Sequence, residues 1–293
     1  MAKRFYQGHL CWIALSSALL LIPPVACSAS DPPRTMQETE LADRQSEDFQ
    51  RLLNSDVVYL GEQHDSVADH TAQLEIIEAI YAENPDIAIG LEMFQRPFQP
   101  VIDRYLAGEI SEAELVEQSE YEQRWGFPWE YYAPILRFAQ THQLPVLALN
   151  APGEVVRQVA REGLDSLEDD DFRDIPPLAE IDTSNTDYQD FVRVAFGSHG
   201  SHGNFNFENF FAAQVVWDET MAMSIADFRQ AQPDTQVVVL AGQGHVIYGY
   251  GIPDRVARRL GDSLQQTKVL LNFPEELLTE SSDGIADIFW DSE

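Results

Sequence analysis

Short, almost continuous apolar runs recur along the chain, and each is followed by a stretch with helical character. Five such runs are present, at Asp56–Gly61, Asp86–Glu92, Leu144–Asn150, Gln236–Gly242 and Lys268–Asn272. Strands that are apolar on both faces and separated by helices are typical of a parallel sheet covered on both sides. The pattern therefore predicts an α/β fold with a mainly parallel central sheet flanked by helices.

The segments between these runs predict amphipathic helices. Ser66 and Asp69 form an S-x-x-D start signal, and the helix that follows carries an apolar stripe that includes Ile77. Further helices are predicted near 97–107, 111–118, 129–142 and 208–230. The long insertions that contain them, before and after the third strand, are expected to form a helical cap over the carboxyl ends of the strands.

The two ends of the chain differ in composition from the part between them. Residues 1–26 combine a basic start with a short apolar run, as in a signal peptide, and the polar segment 27–48 predicts a flexible linker. We predict a single α/β domain over 49–275 and an acidic C-terminal tail over 276–293. Cys27 stands where a bacterial lipobox places its acylated cysteine. The leader thus predicts an exported protein, either an outer-membrane lipoprotein or, after ordinary cleavage, a periplasmic one.

Acidic residues outnumber basic residues by 49 to 18, which gives a formal net charge of −31 at pH 7. Such a field repels phosphate backbones, so nucleic acid is excluded as a partner. Lys3 and Lys268 are the only lysines. A surface of this kind is either simply solubilising or adapted to high salt, which screens its self-repulsion. Cys11 and Cys27 are the only cysteines, and both precede the predicted domain, which leaves it without a disulfide or a cysteine nucleophile.

Charged and polar residues follow the carboxyl ends of the predicted strands. Glu62 and His64 follow the first strand, Glu92 ends the second, and His245 follows the fourth. The carboxyl ends of parallel strands lie at one edge of the sheet, where open α/β folds usually bind ligands, so these side chains are expected to meet. His70 lies one turn into the next helix and is expected at the same edge.

Histidine and carboxylate side chains at one edge are suited to two kinds of chemistry. Glu62, His64, His70, Glu92 and His245 are candidate ligands of a divalent metal. Glu62, His64, Glu92 and His245 are also candidate catalytic residues of a hydrolase, in which a carboxylate activates water and a histidine donates to the leaving group. Both readings stay open beside a third, in which these residues only cap the strands. No H-E-x-x-H metalloprotease motif is present.

Several sequence blocks, in order along the chain, resemble the ChaN haem-binding lipoprotein family. They are Gly61–Asp65 with His70 and Gln73, Gly90–Phe94 with Gln99, Ala148–Pro152, Ala213–Ala222, and Ala241–Val246 with Gly251–Pro253. This family belongs with the Tiki-like and erythromycin-esterase-like proteins, some of which are hydrolases. The resemblance implies a surface lipoprotein that holds haem and works with the outer-membrane machinery of haem and iron uptake. It also implies a homodimer with stacked haems ligated by tyrosine.

The resemblance does not identify the residue that ligates the haem iron. The candidate ligands are Tyr105, Tyr131, Tyr132, Tyr248 and Tyr250, together with His199 and His202. A phenolate is a suitable axial ligand for haem iron, and the absence of a Cys-x-x-Cys-His motif predicts that the haem is bound non-covalently. Arg96 and Arg124 are candidates for binding the propionates. The aromatic segments 121–132 and 205–211 would cover a porphyrin face, or would otherwise form the core of the cap.

Overall fold

The computed structural model describes residues 46–198, 206–261, 263–274 and 284–291. The strands are β1 Val57–Glu62, β2 Ile87–Gln95, β3 Val146–Asn150, β4 Gln236–Gly242, β5 Gln266–Leu271 and β6 Ile288–Trp290. They form one sheet in the order β3-β2-β4-β1-β5-β6, and every pair among them is parallel. The predicted α/β fold with a parallel central sheet is confirmed. The predicted signal peptide, Cys27, His199 and His202 lie outside the described residues.

The helices are α1 at 46–53, α2 Val67–Glu83, α3 Gln99–Leu106, α4 Glu112–Gln118, α5 Tyr121–Arg124, α6 Trp129–His142, α7 Gly153–Glu162, α8 Thr186–Ser198, α9 Phe207–Ala231 and α10 Ile252–Leu260. As its start signal predicts, α2 begins after Ser66, whose side chain accepts a hydrogen bond from the backbone of Asp69. The end of the predicted linker is helical, because α1 already includes residues 46–48. Among the described residues, no helix combines the length and apolar character needed to span a bilayer.

Successive residues of each strand point to opposite faces of the sheet, and each face has its own helical layer. On one face Leu60 packs in a core with Ile77 of α2 and Leu136 of α6. On the other face Val239 packs in a second core with Ile225 of α9, and α10 contributes to the same core. Because the strands are buried on both sides, their sequences are apolar throughout rather than alternating.

The two insertions cap the strand ends and also flank the sheet. Ala151, directly after β3, packs in a third apolar core with Val156 of α7, Tyr188 of α8 and Phe211 of α9. This core extends the molecule beyond the carboxyl end of β3, as the predicted cap requires. By contrast, α6 and the second half of α9 lie against the faces of the sheet, because their apolar residues belong to the cores of those faces.

The sheet extends into the segment that the sequence assigns to an acidic tail. Ile288 of β6 pairs with Val269 of β5, and both Ile285 and Ile288 are buried. The domain end expected at 275 is therefore corrected, since 284–291 includes a strand of the same sheet. The acidic residues around this short strand hide its apolar positions in the sequence.

A side chain covers part of the opposite edge of the sheet. The amide of Gln99 donates to the carbonyl oxygen of Val146 at 2.8 Å and accepts from the backbone N–H of Ala148 at 2.7 Å. Gln99 thus satisfies groups of β3 that another strand would otherwise pair with. Exposed strand edges promote association, so this contact protects the edge.

Candidate functional site

The structure brings together the four residues that the sequence proposes as catalytic. Glu62 ends β1, His64 follows it, Glu92 lies in β2, and His245 follows β4. Because β4 pairs with both β1 and β2, the ends of these three strands are adjacent. We call these four residues the ionic cluster. Its position at the carboxyl edge of the sheet is the one that the parallel topology predicts.

Glu62 is almost completely buried and is surrounded by hydrogen-bonding groups. Its Oε1 lies 2.8 Å from Nδ1 of His64 and accepts a hydrogen bond from the Tyr132 hydroxyl at 2.6 Å. Its Oε2 accepts from the side-chain amide of Gln73 at 2.6 Å. A buried carboxylate needs such partners to offset the loss of hydration. Glu62 is thereby held in one orientation, with His64 directly beside it.

His70 is buried and supports the loop that carries His64. Its Nε2 lies 3.1 Å from the backbone oxygen of His64, and its Nδ1 lies 3.1 Å from Oε1 of Gln73 and 3.5 Å from Oε2 of Glu62. The ring also stacks on Tyr131, with 4.9 Å between the ring centroids. His70 therefore helps to hold the backbone of His64 and the carboxylate of Glu62 in place.

Glu92 and His245 form the second pair of the ionic cluster. Oε1 of Glu92 lies 3.4 Å from Nε2 of His245, and its Oε2 accepts from the backbone N–H of Gly242 at 2.7 Å. On its other side, Nδ1 of His245 lies 2.6 Å from Oδ1 of Asp218. The Tyr188 hydroxyl donates to Oδ2 of Asp218 at 2.7 Å. The His245 ring thus lies between two carboxylates.

The charges in this pair outweigh the effect of burial on its pKa values. Burial favours the neutral carboxyl, but His245, and after it His64 and the N–H of Gly242, lower the pKa of Glu92 to about 2. Burial also favours the neutral imidazole, but Glu92 and Asp218 raise the pKa of His245 to about 10. Both groups are therefore charged at neutral pH.

His64 is the most exposed member of the ionic cluster. Its side chain is 27% exposed, against 1% for Glu62, 7% for Glu92 and 9% for His245. Burial lowers the pKa of His64, but the hydrogen bond with Glu62 and the charge of Glu92 raise it by more, so the net shift is upward. His64 is thus the member of the cluster that solvent reaches most readily.

Aromatic rings and a glycine enclose the ring of His64. Trp125 meets it edge-on at 4.9 Å between centroids, and Phe127 lies at 5.0 Å. Its remaining edge faces Gly242, where an added Cβ would lie 2.8 Å from Nε2 and 2.9 Å from Cε1. The ring of His64 is therefore packed closely between these neighbours.

The geometry does not support the predicted divalent metal site. Within the described ranges, no three His, Cys, Asp or Glu side chains are grouped so that they would hold a metal ion. The proposed ligands Glu62, His64, His70, Glu92 and His245 instead bond in pairs to one another and to neighbouring groups. Their donor atoms are engaged in these contacts and do not converge on a common point, as metal binding requires.

The candidate haem ligands differ in accessibility. Tyr105 is 2% exposed, and Tyr132 is fully buried with its hydroxyl on Glu62, so neither phenol is available to a haem in the folded protein. Tyr131 is half-buried beside His70. Tyr248 and Tyr250 are also half-buried, and their rings stack with centroids 5.2 Å apart. The structure therefore reduces the described tyrosine candidates from five to three.

The two candidate partners of haem propionates are not equally free. Arg124 forms ion pairs with Glu120 at 2.7 Å and Glu154 at 3.0 Å. Arg96 donates to the Ser224 hydroxyl at 2.7 Å, and its nearest carboxylate, Asp227, lies at 3.8 Å and is well exposed. An anionic group would have to displace carboxylates from Arg124, so Arg96 is the more available guanidinium.

Asp218 and Tyr188 belong to the site although the sequence does not single them out. Asp218 stands beside Glu219 within the mostly apolar stretch 212–226, and two adjacent acidic residues in such a stretch are the signal that could have revealed it. Glu219 has a different role, since Arg255, Arg258 and Arg259 of α10 surround its carboxylate. No pattern in the sequence marks Tyr188.

Comparisons with known proteins agree with the fold. The family model described as "Haem-binding uptake, Tiki superfamily, ChaN" matches residues 49–256. The structure titled "Cofacial heme binding to ChaN of Campylobacter jejuni" is similar over 78% of this chain and 86% of that chain, with 19% identity and a TM-score of 0.60. A mutant of the erythromycin esterase EreC in its open conformation has 14% identity and a TM-score of 0.48, over 78% of this chain and 72% of that chain.

One curated relative also matches. Protein RETICULATA-RELATED 5, chloroplastic, from Arabidopsis thaliana is 25% identical over 260 residues. The match covers 83% of this chain but 35% of the relative, so this chain spans about a third of that protein.

Proposed function

The chain belongs to the ChaN family of haem-binding uptake proteins in the Tiki superfamily, and we propose that it is an exported protein that binds haem non-covalently through a tyrosine. The observation that carries the proposal is the family match, which spans 49–256 and so includes the ionic cluster and three half-buried tyrosines. The similarity to the Campylobacter jejuni ChaN structure supports the shared fold.

Tyr248 fits the role of iron ligand best among the available tyrosines. Its backbone is left-handed, with φ 58° and ψ −3°, which costs on the order of 1–2 kcal/mol for a bulky residue. Strain of this kind tends to occur at ligand sites, where surrounding structure maintains it. The ring stacks on Tyr250 and meets Phe191 edge-on at 6.2 Å. We call these three residues the tyrosine platform.

The platform offers what a haem requires from a protein. A phenolate is an established axial ligand of haem iron, and the stacked aromatic rings provide apolar surface for a porphyrin face. Bound haem would supply the iron centre, while the protein's own residues hold it and set which groups reach it.

Export and a role in iron uptake complete the proposal. The basic and apolar leader supports export, and Cys27 supports a lipid anchor at the outer membrane. The expected partner is the haem uptake machinery of that membrane, and the expected assembly is a homodimer. Replacing Cys27 by serine tests the anchor, because it should move the protein from the membrane fraction to the soluble periplasmic fraction. An unchanged distribution would remove lipidation from the proposal.

Haem titration of the mature chain tests the central claim. We expect a saturable Soret shift at micromolar ferric haem, with the charge-transfer absorption of a tyrosinate ligand. Tyr248→Phe should abolish that absorption, whereas the matched control Tyr59→Phe, which alters a buried tyrosine of β1, should leave it intact. If Tyr131→Phe has the effect instead, Tyr131 is the ligand. Haem binding is excluded when no saturable change occurs in the wild type.

A second candidate function is hydrolysis at His64, and one observation favours it. His64 is reached by solvent while its Nδ1 lies 2.8 Å from the oriented carboxylate of Glu62. In this arrangement neutral His64 takes a proton from water as the oxygen attacks a carbonyl carbon, and returns it to the leaving group. Glu62 holds the imidazole and stabilises its charged form, and the positive His245 nearby stabilises negative charge. No metal is required for these steps.

Paired assays separate the two functions. Glu62→Gln and His64→Gln should abolish turnover of p-nitrophenyl butyrate and leave the haem titration unchanged, because neither residue lies in the tyrosine platform. His142→Gln, which alters an exposed histidine at the end of α6, is the control for loss of a histidine. A wild type that cleaves no ester or peptide in a broad screen rules out the hydrolase.

A further inference from the structure

Asp218 is a fully buried carboxylate of α9 that haem binding does not use. An ionised carboxyl group is stable in such surroundings only when it is paired and hydrogen bonded. Asp218 meets this condition through His245 at 2.6 Å and through the hydroxyl of Tyr188 at 2.7 Å. Tyr188 lies on α8 and is fully buried as well. Two helices of the second insertion, α8 and α9, therefore reach the ionic cluster through these two side chains.

The position of His245 between two carboxylates determines where its hydrogens are. Nδ1 faces Asp218, and Nε2 faces Glu92 at 3.4 Å. Burial lowers the pKa of His245, but Glu92 and Asp218 raise it to about 10, so both ring nitrogens carry a hydrogen at neutral pH and the ring is an imidazolium. The amide nitrogen of Gln214 also lies 3.1 Å from Nδ1, but the closer carboxylate is the stronger partner. We call Asp218, His245 and Glu92 the charge clamp.

The charge clamp fixes the backbone at the end of β4. The second oxygen of Glu92 accepts from the N–H of Gly242 at 2.7 Å. Gly242 is also the surface on which the ring of His64 rests, because a Cβ there would overlap Nε2 and Cε1 of that ring. A displacement of His245 would therefore be passed through Glu92 and Gly242 to His64.

We propose that Asp218 and Tyr188 are positioning residues of the His64 site, which hold His245 as a fixed imidazolium and thereby place Gly242 against His64. His245 then contributes charge and position and transfers no proton. This changes the role that the sequence suggests for His245 as an acid or base. The effect of Asp218 and Tyr188 on turnover rests on the proposed hydrolase function, whereas their positioning of His245 and Gly242 does not depend on that function.

The imidazole hydrogens of the mature chain, labelled with ¹⁵N-histidine, test the proposal by NMR. In the wild type at neutral pH we expect His245 to show two N–H resonances that exchange slowly with water. Asp218→Asn should remove the Nδ1–H resonance and shift the resonances of His64. Glu219→Gln is the matched control, since the next residue of the same helix is equally buried but bonds to the arginines of α10. It should leave both histidines unchanged.

Tyr188→Phe is a milder variant that keeps the test decisive where Asp218→Asn does not fold. It should shift the same resonances by less, because the ion pair between Asp218 and His245 is retained. One N–H on His245 in the wild type, or His64 resonances that do not move in either variant, would overturn the proposal. Turnover of p-nitrophenyl butyrate on the same samples separates the two ideas. If the wild type shows no turnover, the hydrolase function is refuted but the positioning of His245 is not. If the wild type does turn over the ester, Asp218→Asn should lower kcat and leave KM unchanged.

Discussion

Raising the pH from 7 to 9 should destabilise the fold through His245. Burial lowers the pKa of this histidine, but Glu92 and Asp218 raise it by more, from 6.5 to about 10. A group whose pKa rises on folding contributes fully to stability below the unfolded value, here 6.5, and its contribution is lost as the pH rises through the folded value. Between these limits the free energy of unfolding falls by about 1.4 kcal/mol per pH unit, so two units remove about 3 kcal/mol.

The pKa of Glu92 gives a second value for the contact between Glu92 and His245. Burial raises its pKa, but His245 and its other partners lower the value from 4.5 to about 2, which corresponds to about 3 kcal/mol. The shift of His245 corresponds to about 5 kcal/mol. The two figures differ because Asp218 also faces His245. Both pKa shifts include the same contact between Glu92 and His245, so the two energies are not added. The smaller energy, about 3 kcal/mol, is the one assigned to that contact.

Urea unfolding at the two pH values, in the wild type and in His245→Gln, measures this contribution. The variant should be less stable than the wild type at pH 7, and the difference should shrink by about 3 kcal/mol at pH 9, since glutamine does not titrate. His142→Gln, which alters an exposed histidine, should follow the wild type at both values. A stability difference that is the same at pH 7 and pH 9 would refute the assignment of His245 as a buried cation.

Four further outcomes follow from the structure. Gly242→Ala places a methyl group 2.8 Å from His64 and should cost about 1–3 kcal/mol in thermal or urea unfolding, whereas Gly244→Ala, where a Cβ meets nothing within 4 Å, should cost less. Gln99→Ala uncovers β3 and should cause concentration-dependent association in light scattering; a variant that stays in the wild-type state argues against edge protection. The Tm should rise steeply between low and molar salt if the net charge of −31 reflects adaptation to salt, and a flat response removes that hypothesis. Any ester hydrolysis should increase with pH and level off above 6.5, because the pKa of His64 is raised; a rate that falls over this range contradicts a neutral His64 as base.

The sheet and the ionic cluster were predictable because both follow from local patterns and one topological rule. The run Asp56–Gly61 is apolar on both faces, and it forms β1 at Val57–Glu62. Once the strands are parallel, their carboxyl ends must share an edge, which places Glu62 and His245 together. The prediction required no knowledge of how the insertions pack.

Neither the charge clamp nor strand β6 could be predicted, because both depend on contacts between segments that are distant in the sequence. Asp218 meets His245 only because of how α9 packs beside the segment that follows β4, and no periodicity in the sequence encodes that packing. Tyr188 depends in turn on the packing of α8 against α9. The strand β6 is three residues long within an acidic segment, and it is defined by its pairing with β5 rather than by its own composition.

The two proposed functions rely on different residues, namely His64 for hydrolysis and the tyrosine platform for haem binding. We propose that haem binds at Tyr248 and Tyr250, whose half-buried rings stack on each other, whereas Glu62, Glu92 and His245 of the ionic cluster are buried. The proposed general base, His64, is held in place by Trp125, Phe127 and Gly242. Tyr188 contacts both regions, because its hydroxyl bonds to Asp218 while its ring lies 6.1 Å from that of Tyr250. Tyr188 therefore links the charge clamp to the tyrosine platform through these two contacts.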